Sequence, residues 1–167
     1  MIVTEKKPTK YYSSLQENRI ADYLGWSAVS ASGARHFNPG DIKAAEWLAE
    51  CKTHTKEIDN ITIDKKVWKK IATEAKGCFR KPVLFVDNGT QEISNTWAIV
   101  PKRLFIGRNL VEVKPEYNET TNKITFKHSK FSKKFADKYS YCSILVEKES
   151  LYIVKMVTFK SIFLESE

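Results

Sequence analysis

The sequence of 167 residues lacks any long hydrophobic run. No stretch approaches the ~20 apolar residues that a bilayer-spanning helix needs, so we expect no membrane partner. The first fourteen residues carry three lysines but no apolar segment, and we therefore expect no secretory leader.

Cysteine is also scarce. Cys51, Cys78 and Cys142 are an odd number, lie far apart and form no C-x-x-C pair. This usage argues against a disulfide scaffold or a zinc knuckle and fits a reducing compartment. We expect a cytoplasmic protein, in a bacterial or phage-infected host cell.

What the chain has is positive charge. Lysine and arginine number 28 against 20 acidic residues, a net charge of +8, while 42% hydrophobic residues suffice for a real core. Such a balance suits a polyanion partner, nucleic acid above all. The excess is uneven, because residues 102–167 hold +5 of it.

Hydrophobic periodicity and breaker residues predict an α/β fold. Helices are expected from Ser13 to Gly25 and from a cap at Asp64 to Gly77. The expected strands are 26–30, 41–44, 47–52, 82–86, 96–100, 141–146 and 151–157. Residues 1–12 are expected to be a flexible tail, residues 13–101 the core, and residues 102–167 a β-rich, basic extension packed on it.

Three residues in the hairpin at 41–52 could carry chemistry. Side chains alternate faces along a strand, so Glu50 and Lys52 share a face, and the turn brings Asp41 beside Glu50. Two carboxylates bind Mg²⁺ or Mn²⁺ as hard ligands, and the backbone carbonyl of Cys51 is a further candidate ligand. The lysine would orient or deprotonate the attacking water, or balance charge on the pentacovalent phosphorane, in phosphodiester hydrolysis.

The pattern resembles the PD-(D/E)xK nucleases, most of all the archaeal-type Holliday junction resolvases and their phage relatives. The matching segments are ENRIADYLGW from Glu17, SGA from Ser32, GDI from Gly40, ECK from Glu50, and then EAKG and RKPVLFV. Gly40 stands where the family's signature has proline. The resemblance covers about residues 13–101 and implies a restriction-endonuclease-like core of α-β-β-β-α-β order.

The resemblance also implies roles for individual residues. Asp41 and Glu50 would be metal ligands, Lys52 the catalytic lysine, and Glu17 the helix carboxylate that completes the metal environment. Ser30 or Ser32 would match the serine that resolvases place in the loop before the aspartate.

Simpler interpretations stand beside these roles. An E-x-K triplet can be a plain surface ion pair. Ser14 and Glu17 have the spacing of a capping box, in which the glutamate would turn back to the helix end. His54 and His128 are expected to be solvated or packed rather than catalytic.

Basic side chains supply the candidate DNA contacts. Arg35 and His36 lie in the loop before Asp41, and their alternative is an ordinary polar loop. Lys69 and Lys70 lie on the second helix, where a solvated face is the commoner explanation. Lys130, Lys133 and Lys134 are candidates for the DNA backbone, whereas Phe131, Phe135 and Tyr139 are expected to form a buried stripe.

The expected function is that of a Mg²⁺- or Mn²⁺-dependent endonuclease that selects branched DNA, specifically a four-way junction, for recombination or repair. A homodimer is expected from the resemblance, since two symmetric strands must be cut. The alternatives are another nuclease of this superfamily, such as a restriction, nicking or end-processing enzyme, and a non-catalytic DNA-binding module.

Overall fold

Apolar side chains pack on both faces of a central eight-stranded sheet. The computed structural model describes residues 7–29 and 40–165. Its helices are α1 (Thr9–Leu24), α2 (Lys65–Gly77), α3 (His128–Lys134) and α4 (Met156–Phe163). Its strands are β1 (Ser27–Ala28), β2 (Ile42–Lys43), β3 (Trp47–Lys52), β4 (Asn60–Asp64), β5 (Lys81–Asp87), β6 (Thr96–Pro101), β7 (Val111–Glu112), β8 (Asn118–Glu119), β9 (Lys123–Lys127), β10 (Ser140–Val146) and β11 (Glu149–Lys155).

The central sheet is mixed, in the order β1-β2-β3-β5-β6-β11-β10-β7. Strands β3 and β5 are parallel, as are β7 and β10, and the other pairs are antiparallel. A second sheet has the order β4-β9-β8. The expected α/β class, a mixed sheet with helices, is confirmed.

Each face of the central sheet carries its own core. Helices α1 and α4 cover one face, with Ile20, Phe85 and Phe159 buried there. Helix α2, helix α3 and the three-stranded sheet cover the other face, with Trp68, Trp97 and other large apolar side chains buried. Strand β5 lies between the two cores, which accounts for its continuous apolar run.

Helix α2 begins and ends where its sequence predicts. The Asp64 carboxylate accepts a hydrogen bond from the Lys66 amide at 2.9 Å and so caps the helix. Trp68, Ile71 and Ala75 form the buried face, and the helix ends at Gly77.

Helix α1 corrects the expected tail at residues 9–12, whereas residues 1–6 lie outside the described part of the chain. It begins at Thr9 after Pro8, whose extended backbone is suited to a helix start, and the Tyr11 amide donates to the Pro8 carbonyl at 3.0 Å. Ser14 therefore lies inside the helix, and the capping-box interpretation of Glu17 is wrong.

Residues 102–165 build onto the same sheet. Strand β11 pairs with β6 through five residue pairs, and β10 and β7 extend the sheet beyond it. Strand β9 pairs with β4, which the sequence did not predict. The strand expected at 151–157 ends at Lys155, because Met156 begins helix α4.

No helix among the described residues is long and apolar enough to cross a membrane.

Candidate active site

A tight hairpin places the candidate residues. Ile42 pairs with Ala49 across β2 and β3, and the Ala44 amide donates to the Trp47 carbonyl at 3.0 Å. Gly40 precedes the hairpin with φ +76°, a conformation that glycine adopts freely and proline cannot adopt. The backbone at residue 40 therefore suits a glycine and excludes a proline.

Hydrogen bonds to its backbone and to its carboxylate hold Asp41 in place. Its backbone amide donates to the Ala49 carbonyl and its carbonyl accepts from the Val29 amide, each at 2.8 Å. Its Oδ2 accepts from the Cys51 amide, also at 2.8 Å. The Asp41 carboxylate is thus held at the end of β3 that carries Glu50.

Glu50 and Lys52 form an ion pair. The distance from Lys52 Nζ to Glu50 Oε1 is 3.0 Å, with the Glu50 side chain 9% exposed and that of Lys52 53% exposed. Burial and the Asp41 carboxylate raise the pKa of Glu50, although Lys52 opposes both. Burial lowers the pKa of Lys52, but the carboxylates of Glu50 and Asp41 outweigh it, so its pKa is raised and the ammonium stays charged.

Glu17 joins this group from helix α1. It is half-buried, and its pKa is raised to about 7, first by burial and then by repulsion from Asp41 and Glu50; Lys52 works against the rise. Three carboxylates and one ammonium therefore lie within electrostatic reach at one end of the sheet. This concentration of negative charge would be relieved by a cation.

The donor set suits a hard divalent cation. Mg²⁺ keeps several waters and needs only one or two protein carboxylates, which Asp41 and Glu50 can supply. Within residues 7–29 and 40–165, no three histidine, cysteine or acidic side chains form a ready-made metal cage.

Two buried polar residues support the site and were missed by sequence reasoning. Gln16 is 1% exposed, and its Nε2 donates to the Lys52 carbonyl at 2.7 Å, which ties α1 to the end of β3. Asp87 is equally buried at the end of β5, where its Oδ1 accepts from Thr53 Oγ1 at 2.5 Å. The signal for Gln16 was its spacing of four residues from Ile20, on the buried face of the helix.

The backbone carbonyl of Cys51 is the main-chain candidate ligand, and Cys51 lies in β3 as the sequence predicts. Cys51 is buried between Glu50 and Lys52 in β3, facing the core under α1. Burial, followed by the three surrounding carboxylates, raises the pKa of its thiol well above the usual range. Its thiol is therefore protonated at neutral pH, and the carbonyl remains a predicted ligand.

The two lysines of helix α2 point to different places. Lys70 is close enough for its charge to act on Glu50, and it pairs with Glu74 at 3.7 Å. Lys69 instead pairs with Glu147 at 3.3 Å, in the turn between β10 and β11. Of the two predicted DNA contacts, only Lys70 is placed near the candidate site.

Helix α3 carries the other predicted lysines. Lys130, Lys133 and Lys134 are exposed, while Phe131 and Phe135 are buried against Trp97. Tyr139 is 40% exposed, so its assignment to the buried stripe is wrong.

The loop candidates cannot be located in the described residues, whereas both histidines outside the loop can. Ser30, Ser32, Arg35 and His36 lie outside the described residues. His54 is exposed, and His128 packs against the Trp97 ring, as expected of histidines without a catalytic partner.

Comparisons of the chain with protein-family models, with curated proteins and with solved structures gave no match.

Proposed function

We propose that this chain is a metal-dependent deoxyribonuclease with a PD-(D/E)xK site on a restriction-endonuclease-like core. The observation that carries the proposal is the meeting of Asp41, Glu50 and Lys52 on one hairpin, with the Glu50–Lys52 pair at 3.0 Å. Helix α1 before the hairpin and helix α2 before the parallel strand β5 support the core that the resemblance implies.

Each residue has a defined task in this proposal. The carboxylates of Asp41 and Glu50 hold Mg²⁺ or Mn²⁺, which when bound supplies Lewis-acid polarisation of the scissile phosphate. Lys52 keeps its proton, so it orients the attacking water and balances the negative charge that develops on the phosphorus oxygens. Glu17 is the further carboxylate beside them, and in the metal-free chain burial and the repulsion of Asp41 and Glu50 raise its pKa to about 7.

The proposed substrate is branched DNA, and specifically a four-way junction cut by a homodimer. This choice comes from the resemblance to junction resolvases. The net charge of +8 supports a polyanionic substrate in general.

Cleavage of labelled DNA tests the proposal. A four-way junction, a linear duplex, a flap and a single strand are incubated with the full chain in Mg²⁺, in Mn²⁺ and in EDTA. We expect cutting only with metal, and most rapidly at the junction. Asp41→Asn and Glu50→Gln should each lower the single-turnover rate by roughly 100-fold or more.

Two results would each overturn one part of the proposal, either the substrate or the catalytic activity. A preference for linear duplex or DNA ends over junctions would replace the substrate and leave the chemistry. Salt-sensitive binding without cleavage in any divalent metal would instead indicate a DNA-binding module without catalysis.

A further inference from the structure

The end of the central sheet opposite the candidate site carries two adjoining cavities of about 750 and 620 Å³. Leu48 on β3 pairs with Pro82 on β5, and the register of β5 with β6 puts Pro82 level with Pro101. Leu48 comes four residues before Lys52 on β3. A strand rises ~3.3 Å per residue, so this end lies about 13 Å along the strands from the candidate site. We call this surface the basic end face.

Charge is the first property of the basic end face. Arg103, Glu147 and Glu149 line both cavities, and these two glutamates are the acidic residues among the linings. The cationic residues that line one or both cavities are Lys69, Lys76, Arg80, Lys102, Arg103, Arg108 and Lys148. Seven cations against two carboxylates make this a strongly positive surface, and Lys69 already pairs with Glu147.

An exposed aromatic residue is the second property. Phe79 is 97% exposed at the rim of the smaller cavity, just after helix α2. Its φ is +60°, in the left-handed region where glycine is favoured and a bulky side chain is strained. Neither burial nor backbone preference explains a phenylalanine at this position.

The larger cavity adds an apolar floor and a second exposed side chain. The rings of Tyr141 and Tyr152 stack with centroids 4.0 Å apart, and Phe105 lies 5.2 Å from Tyr152. Ile106, 83% exposed, is on the rim. Apolar anchors surrounded by cations differ from a solvated lysine face, which would need no exposed aromatic ring.

We propose that the basic end face binds single-stranded DNA, with unpaired bases on Phe79 and Ile106 and with phosphates on the arginines. Charge complementarity favours a polyanion over a protein partner. The exposed ring favours an unpaired strand, because a base can stack on an aromatic face only when it is out of the duplex. The choice of DNA rests on the proposed nuclease function, for which this surface would hold a strand away from the cutting site.

Binding of a fluorescein-labelled single strand to the full chain in EDTA, followed by anisotropy, tests this proposal without cleavage. Phe79→Gly should weaken binding roughly ten-fold or more, the loss expected when one stacked base is released. The same variant should melt at the wild-type temperature or above it, because glycine relaxes the positive φ. Phe79→Trp should retain binding, and Val111→Ala, at an exposed apolar position on edge strand β7, should bind like the wild type.

Two further measurements test whether the arginines contact phosphates and whether the strand binds beside Phe79. Joint Arg103→Ala and Arg108→Ala substitution should reduce the slope of log affinity against log salt by about 1.4, because each phosphate contact of a single strand contributes ~0.7 to that slope. Cys78, half-buried beside Phe79, should be alkylated more slowly by iodoacetamide when the single strand is bound.

Unchanged single-strand affinity in Phe79→Gly would overturn the proposal. A dimer that Phe79→Gly dissociates, with unchanged DNA affinity, would assign the surface to contacts between copies and would overturn it equally. The two proposals fail separately: a chain that binds single strands through Phe79 but cuts no DNA loses only the nuclease function. A chain that cuts DNA while Phe79→Gly binds normally loses only the basic end face.

Discussion

At the scale of single residues, Gly40 sets the position of Asp41. A Cβ added at Gly40 would lie 2.8 Å from two Leu48 side-chain carbons and 3.1 Å from the Ala49 carbonyl oxygen. Gly25 has a similar φ of +72°, but a Cβ there would have nothing within 4 Å. A side chain at Gly25 would therefore meet backbone strain alone, whereas one at Gly40 would meet strain and a steric collision.

We expect Gly40→Ala to destabilise the fold by about 1–3 kcal/mol and to shift Asp41. Gly25→Ala should cost less, since it adds strain alone. Thermal denaturation of both variants measures the difference, and equal melting temperatures would show that the contact with Leu48 relaxes freely.

Glu17 carries the clearest effect of pH. Its pKa is raised from 4.5 to about 7 in the folded chain, so the folded state binds more protons than the unfolded state between these values. Its contribution to stability is therefore complete below pH ~4.5 and is lost as the pH rises through 7. A shift of this size in a half-buried group, discounted for solvent, corresponds to about 1 kcal/mol.

In EDTA, Glu17→Gln should melt about 2–4 °C above the wild type near pH 8 and at the same temperature near pH 4. Glu46→Gln, at an exposed position on the hairpin, should show no such difference. A constant offset of Glu17→Gln across the whole pH range would contradict the raised pKa.

The stability contributed by His128 depends on pH in the opposite direction to that of Glu17. Its Nδ1 accepts from Trp97 Nε1 at 3.0 Å, which requires the neutral ring, and burial lowers its pKa below 6.5. The stability that this residue contributes is present above pH 6.5 and is lost as the pH falls through the folded pKa.

We expect His128→Gln to flatten the acid side of the stability curve, measured by Trp fluorescence during urea unfolding between about pH 7 and pH 5. His54→Gln, at an exposed position, should leave that side unchanged. An equal acid sensitivity in wild type and His128→Gln would assign the loss of stability to other groups.

At the scale of elements, a helix or strand could be predicted from its own residues where its capping, turn or hydrophobic pattern agreed with the packing in the fold. The Asp64 cap, the hairpin and the apolar run of β5 follow from the sequence, because each has short-range chemistry of its own. The positions of Asp41, Glu50 and Lys52 follow from the hairpin, since strand alternation fixes which side chains meet. The sequence left Glu17 two roles, metal environment or capping box, and the start of helix α1 at Thr9 removes the capping box.

Elements that depend on distant partners could not be predicted. Strand β4 is five residues long and owes its pairing to β9, some sixty residues later in the chain. Helix α4 has a composition rich in β-branched and aromatic residues that suits a strand equally well. In the fold it is a helix whose Phe159 packs against Trp47 and Phe85, contacts that no local pattern encodes.

At the scale of the whole molecule, the two ends of the sheet differ in charge. At one end Glu17, Asp41, Glu50 and Lys52 act on one another electrostatically, and at the other end seven cations and two glutamates line the cavities. The proposed metal site would thus lie at the acidic end of the sheet, and the proposed DNA-binding surface at the basic end. The basic excess also extends beyond residues 102–167, because Lys69, Lys76 and Arg80 contribute to it.

A second glutamate–lysine pair, near the opposite end of β3, is a matched control for the Glu50–Lys52 pair. Glu46, just before β3, pairs with Lys81 at 3.6 Å, as Glu50 pairs with Lys52 at the other end. The Glu46 side chain is 75% exposed, against 9% for Glu50. Only the Glu50–Lys52 pair lies beside Asp41.

The most direct measurement is the single-turnover rate of DNA cleavage in Mg²⁺ at saturating protein, for both pairs. We expect Glu50→Gln and Lys52→Ala to lower the rate by roughly 100-fold or more, and Glu46→Gln and Lys81→Ala to leave it within about two-fold. Cleavage that survives in Glu50→Gln and Lys52→Ala would contradict a catalytic role for the hairpin site.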